Sequence, residues 1–377
     1  MRTASILRFL SESYRVHLVT FREATKDSEP FPLQPPAQAT TVVELPSHAR
    51  DSLARAGRNA GRLLRGTLPL TDRFCGSDSF RQVQQAIAGR RYRLGVIEHF
   101  WCAPYVQLLR PCTDRVVLDL HNIESVLHAG CALSEPWPQS FAHQRFARIA
   151  ARMEKESLAA FDLVLTPCEA DRRRVLKLCP AARVKVVPNT LPETAEPDEP
   201  EEHIIAFSGN LEYHPNITAV RHFRNTIWPL LRQSDPKLRW RVIGKNEQAV
   251  REWLAGDERI ELTGPVDDAI RALARAKVVV VPLLSGSGTR IKILEAWAAA
   301  RAVVSTNVGA EGLPAKDGAN IRLIDDPAAM ADIIRDLVAD PDARKRLGRG
   351  GRETFEQSGS WPEAARALRR AALNGAP

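Results

Sequence analysis

Strand-like and helix-like runs alternate along this chain from end to end, and the alternation restarts once near the middle. Parallel strands need a long crossover between neighbours, usually a helix, so this rhythm confines the chain to an α/β architecture. In the first half the strand candidates are RVHLVTF (15–21), TTVVELP (40–46), LGVIEHF (94–100), RVVLDLH (115–121), FDLVLTP (161–167) and VKVVPNT (184–190). FRQVQQAIAG (80–89) and SFAHQRFARIAARMEKESLAAF (140–161) have helical periodicity. The second half offers HIIAFSGN (203–210), LRWRVIG (238–244), RIELTG (259–264), AKVVVVPLL (276–284), RAVVST (301–306) and ANIRLID (319–325), again with helical runs between. Residues 191–202, rich in Pro and Glu, have nothing to bury and read as an interdomain linker. The expected division is therefore a domain over 1–190, the acidic linker 191–202, a second domain over 203–355, and a terminal helical segment, 356–377.

A length of 377 residues is enough for two domains with separate cores. No apolar run approaches the roughly 18–20 residues that cross a bilayer. The six cysteines form no CxxC pair and no zinc spacing, which points to a reduced, cytoplasmic chain without a structural metal. Charge is uneven: residues 1–190 carry 27 Lys and Arg against 18 Asp and Glu, while the remainder is nearly balanced. No aromatic-rich nucleic-acid motif accompanies the basic half, so an anionic membrane surface is the better partner for it, and a plain solvated face is the alternative. Within that half, Arg55, Arg58, Arg62 and Arg65 recur at helical spacing on one face of 50–66, suiting either a membrane-surface helix or an ordinary exposed one.

The stretch KVVVVPLL-SGSGTRIKILEAW (277–297) leads an apolar strand into two glycines, two cations and a glutamate. In doubly wound sheets ligands bind at the carboxyl ends of strands, which is where this turn falls. Gly286 and Gly288 would let a phosphate approach the backbone, and the first amides of a helix have no intrahelical partners. Arg290 and Lys292 would add charge-assisted contacts. Glu295 would repel a phosphate and better suits a hydroxyl pair such as a ribose. The competing reading is a surface turn with Lys292 and Glu295 as an i, i+3 ion pair.

The block SGSGTRIKILEAWAAARAVVSTNVGAEGLP (285–314) resembles the nucleotide-sugar site of family-four retaining glycosyltransferases, also described as group 1. FSGNLEYHPNITAVRHFRNTIWPLL (207–231), with a Y-x-P-N pattern, resembles the first strand and helix of that family's donor domain. VIGKN (242–246) and IELTGPVDD (260–268) are similar to its next strand ends. DLHNIES (119–125) resembles the acceptor-domain loop whose histidine faces the donor, LTPCEAD (165–171) and VVPNT (186–190) its last strands, and SWPEAARALRRAAL (360–373) the terminal helix that packs back on the first domain. The resemblance implies a GT-B fold, two doubly wound Rossmann-like domains facing a cleft. It implies a donor site formed by Gly209, Gly264, Ser287, Gly288, Thr289, Arg290, Lys292 and Glu295. His121, Arg290, Lys292 and Glu295 would serve catalysis, with no metal or other cofactor. The partners implied are a nucleotide-sugar donor and a glycan or lipid-linked acceptor, with possible membrane-surface contact and no nucleic acid.

Three departures accompany the resemblance. The first glutamate of the family's E-x7-E pair falls at Ser287. The cations that many members carry after the first donor-domain strand are replaced by GNLEYHPN. The family's opening strand and glycine-rich loop are missing, which leads us to expect that Met1 lies inside a longer natural product. A second reading of His121 is structural, bonded to Asp119 or Glu124, with Glu98 and His99 as secondary site candidates. Rival functions are a non-catalytic nucleotide-sugar binder and, with less support, a nucleotide-sugar epimerase.

Overall fold

The computed structural model describes residues 2–23, 37–46, 52–286, 288, 290–371 and 373. The chain divides into two units, each with its own apolar core. One comprises residues up to 132, 137–188 and Ala364 onward; the other comprises Leu133–Pro136 and Asn189–Glu363.

The first unit holds β1 (His17–Glu23), β2 (Ala39–Leu45), β3 (Tyr92–Glu98), β4 (Thr113–Asp119), β5 (Leu163–Thr166) and β6 (Val184–Val186). All pairings are parallel, but they fall into two sheets, β1-β2 and β3-β4-β5-β6. Val116, Val117 and Leu118 of β4 are fully buried, because helices cover both faces of this central strand. The helix Ser52–Arg65 forms as its periodicity predicts, yet its basic residues do not all face outward. Arg62 is buried and donates to Asp72 Oδ2 at 3.0 Å, and Arg65 reaches the other carboxylate oxygen at 3.1 Å.

The second unit is a six-stranded parallel sheet built from β7 (Ile204–Ser208), β8 (Arg239–Ile243), β9 (Ile260–Gly264), β10 (Val278–Val281), β11 (Ala302–Ser305) and β12 (Arg322–Leu323). Its order is β12-β11-β10-β7-β8-β9. Read from the other edge, this is the doubly wound 3-2-1-4-5-6 order, and the winding reverses between β7 and β10. Val278–Val281 are completely buried, and Trp228, Trp240 and Trp297 fill the layers between sheet and helices.

The Pro- and Glu-rich segment 191–202 is a strap on this second unit. Glu199 pairs with Arg271, Glu201 with Arg301 and Arg344, and Glu202 with Arg241 and Arg275. A segment with almost nothing apolar to bury is held by charge. Among the described residues no disulfide forms, and no helix is long and apolar enough to cross a membrane.

Candidate donor site

At the switch point of the second unit, β7 ends at Ser208 and continues into Gly209, while β10 ends at Val281 and leads through Gly286 and Gly288 into the helix Ile291–Ala298. Gly209 has φ +155°, and a Cβ there would lie 2.7 Å from Asn216 Nδ2 and 3.0 Å from Lys292 Nζ. Gly244, just beyond β8, is tighter still, since a Cβ would sit 1.8 Å from the Gly209 carbonyl oxygen. Gly244 N in turn donates to Gly264 O at 3.0 Å. The ends of β7, β8 and β9 thus form a ledge of main chain. Gly264, at φ +69°, belongs to that ledge and stands two strands from β7.

Lys292 is only 9% exposed. Its Nζ donates to Asn216 Oδ1 at 2.8 Å and stands 3.9 Å from the centre of the Phe207 ring. Among the described residues no carboxylate comes within ion-pair distance of it, so the surface Lys292–Glu295 pair does not form. Burial strips water from the ammonium and lowers its pKa to about 7; Glu295 opposes the shift and Arg290 adds to it. Arg290 is also buried, and donates to the carbonyls of Gly288 at 2.9 Å and Val308 at 3.2 Å. Gly286 permits this fold-back, because a Cβ there would lie 2.9 Å from Arg290 Nη2. Glu295 is half-buried, and desolvation raises its pKa against the pull of Lys292 and the nearby Ser208 hydroxyl.

The structure therefore gathers Gly209, Lys292 and Asn216 in one place, with Gly286, Gly288 and Arg290 on the adjoining turn. Ser287 and Thr289 lie outside the described residues. Phe207 and Asn216 were not singled out from sequence. Asn216 is the last residue of the Y-x-P-N pattern, so a signal for it existed; Phe207 looks like any core strand residue.

His121 lies in the first unit, in a cluster of its own. Its Nε2 is 2.7 Å from Glu98 Oε2 and 3.3 Å from Asp119 Oδ2, and its ring centre lies 3.7 Å from that of His99. Burial disfavours the imidazolium, but the two carboxylates outweigh it and raise the pKa. His99 has weaker support: burial, with His121 beside it, outweighs the pull of Asp119 and drives its pKa down to about 3. Arg2 Nε donates to Asp119 Oδ2 at 2.8 Å and Arg2 Nη1 to the Val187 carbonyl at 2.6 Å. Asp119 is fully buried; the arginine and His121 overcome its desolvation and hold its carboxyl below the usual range. Glu98, Asp119 and His121 present ligand atoms within 4.8 Å of one another, but Arg2 already engages Asp119. Glu124 is elsewhere, accepting from Asn122, and is pushed up to about 7 by burial and Glu154.

Residues 1–190 match the family described as glycosyl transferase 4-like domain, and residues 202–340 match glycosyl transferases group 1. The chain belongs to this glycosyl transferase family. A curated relative, the uncharacterized 44.6 kDa protein in the cps region of Klebsiella pneumoniae, is 25% identical over 138 residues. That match spans 34% of this chain and 36% of the relative. Sucrose-phosphate synthase from Thermosynechococcus elongatus superposes with a TM-score of 0.72 at 16% identity, over 99% of this chain and 92% of that one. The E. coli trehalose-6-phosphate structure bound with UDP-2-fluoro glucose gives 0.66 at 14% identity, over 100% and 96%. HepE from Anabaena in complex with UDP-glucose gives 0.63 at 13% identity, over 94% and 99%. The fold is GT-B, with two Rossmann-like units.

Proposed function

We propose that this protein transfers a sugar from a nucleoside-diphosphate donor to a glycan or lipid-linked acceptor, with retained configuration, in cell-surface polysaccharide synthesis at the inner membrane face. The observation that carries this reading is the pair Arg290 and Lys292, buried at the switch point beside glycines that expose backbone. When the bond from the sugar to the diphosphate breaks, negative charge grows on the leaving nucleotide, and these cations would stabilise it. No solvent reorganisation is needed, because both side chains are already fixed by Asn216 and by backbone carbonyls. Ser287, Gly288 and Thr289 would offer further donors to the diphosphate, Glu295 would accept from the ribose hydroxyls, and His121 would contact the donor sugar. UDP is the favoured nucleotide, since several structural neighbours hold UDP or a UDP-sugar. The first unit would then take the acceptor and the second the donor.

A thermal-shift panel of UDP-, GDP- and ADP-sugars tests the donor, because a ligand that binds only the folded state raises the melting temperature by mass action. Wild type should respond to one nucleotide class and Arg290→Ala to none. Near-normal affinity in Arg290→Ala would overturn the assignment.

A further inference from the structure

The second unit carries another cationic site at the opposite edge of the same sheet. Arg290 and Lys292 follow the C-terminal end of β10. Lys277 immediately precedes β10, and Ala300 to Ala302 lead into β11, so they mark the N-terminal edge, about one strand length of ~13 Å away. There a pocket of about 420 Å³ opens between the helix Pro341–Thr354, the start of β11 and the strap. Six cations line it: Lys277, Arg301, Arg344, Lys345, Arg349 and Arg352. Its two carboxylates are Glu196 and Glu201, and Glu201 is already shared between Arg301 and Arg344.

This pocket is built into the fold. Arg344 is 6% exposed, donating to the carbonyls of Leu337 and Val338 and to Glu201 at 2.7 Å. Carbonyls at the C-terminal end of the helix Ile291–Ala298 would repel an anion. Arg352 and Arg301 occupy two of them, at Ala298 O (2.6 Å) and Ala299 O (3.0 Å). The backbone of Gly348 presses on Ala300, where a Cβ would lie 2.2 Å from the carbonyl oxygen, and this close approach sets the basic helix face against β11. Lys345 and Arg349, one turn apart and exposed, form no ion pair among the described residues. Apart from its charged residues the lining is alanine, with no aromatic ring to stack a nucleobase.

We propose that this pocket binds a phosphorylated molecule that is not a nucleotide, at a site separate from the donor site. Buried Arg344 and half-buried Arg301 and Arg352, the last also paired with Glu356 at 2.7 Å, supply a fixed field, and Lys345 and Arg349 close on the phosphate from the solvent side. The source is either a free phosphate ester or the headgroup of an anionic lipid.

Isothermal titration calorimetry with inorganic pyrophosphate, with UDP in excess to occupy the donor site, tests this on the full chain. Wild type should bind. K345E/R349E should lose at least tenfold in affinity, and K345Q/R349Q should fall between. Melting temperatures should stay unchanged, since both side chains are exposed. Flotation with phosphatidylglycerol and with phosphatidylcholine vesicles separates the sources. Charge-dependent flotation that pyrophosphate competes away assigns a headgroup, and pyrophosphate binding alone assigns a free ester. Pyrophosphate affinity unchanged in K345E/R349E, or wild type that binds neither probe, overturns the proposal. If the donor-site reading fails and UDP blocks nothing, the difference between wild type and K345E/R349E still decides this one.

Discussion

Two buried cations, one in each unit, are satisfied differently. In the first unit Arg2 meets a fully buried carboxylate, Asp119, which His121 also contacts. In the second unit Lys292 meets an amide oxygen and an aromatic ring. The first arrangement is closed, since charge is cancelled by charge inside the protein. The second is open, because a desolvated ammonium beside an amide and a ring is stabilised far less than one beside a carboxylate, and its lowered pKa records the deficit. An incoming anion gains more at the open arrangement, and this is why the donor reading rests on Lys292 and Arg290 more heavily than on His121.

The contrast breaks most directly at Arg2. Arg2→Met strands Asp119 without its partner and should cost about 3–5 kcal/mol of unfolding free energy. A loss below about 1 kcal/mol in urea denaturation would show that the pair is not closed. Lys292→Met should behave oppositely, leaving stability nearly intact while donor affinity falls roughly a hundredfold, about 2.8 kcal/mol, by calorimetry. A large stability loss without a binding defect would reverse the assignment.

Proton linkage sharpens the same comparison. Burial lowers the Lys292 pKa to about 7, and a bound diphosphate would raise it, so binding takes up a proton. Donor affinity should then be highest below about pH 7 and fall by up to about tenfold per pH unit above it. A flat profile from about pH 6 to about pH 9 would contradict an open lysine. The smallest effect belongs to His121, whose folded pKa is raised. Its contribution to stability is fully present below the unfolded value of about 6.5 and is lost as pH rises through the folded one. Glu124 shifts in the same direction and His99 in the opposite one. The curve for His121→Gln subtracted from wild type isolates the term, and a difference that does not shrink as pH rises would contradict it.

Much of the fold was legible because β-branched runs declare buried parallel strands: VVVV at 278–281 could be little else. The cations of the turn were legible from local spacing after an apolar strand. What closes around them was not. Asn216 reaches Lys292 across 76 residues of sequence, and Arg2 reaches Asp119 across 117, so only the strand order brings them together. Arg62 was misleading for a similar reason: helical periodicity assigns it a face, but the inward pull comes from Asp72 on the next helix. The strap shows the limit of composition, because its glutamates look solvated until the arginines of the second unit are placed beside them.

The glycine ledge has an evolutionary consequence. Where Gly209 and Gly244 touch, the surface consists of peptide atoms: a substitution at Gly244 adds a Cβ where the Gly209 carbonyl already stands, and one at Gly209 adds a Cβ against Asn216 and Lys292. Drift is therefore pushed beyond the ledge and the Lys292–Asn216 pair that packs against it. A lineage could alter the surroundings of the ledge and still inherit an unchanged main-chain floor.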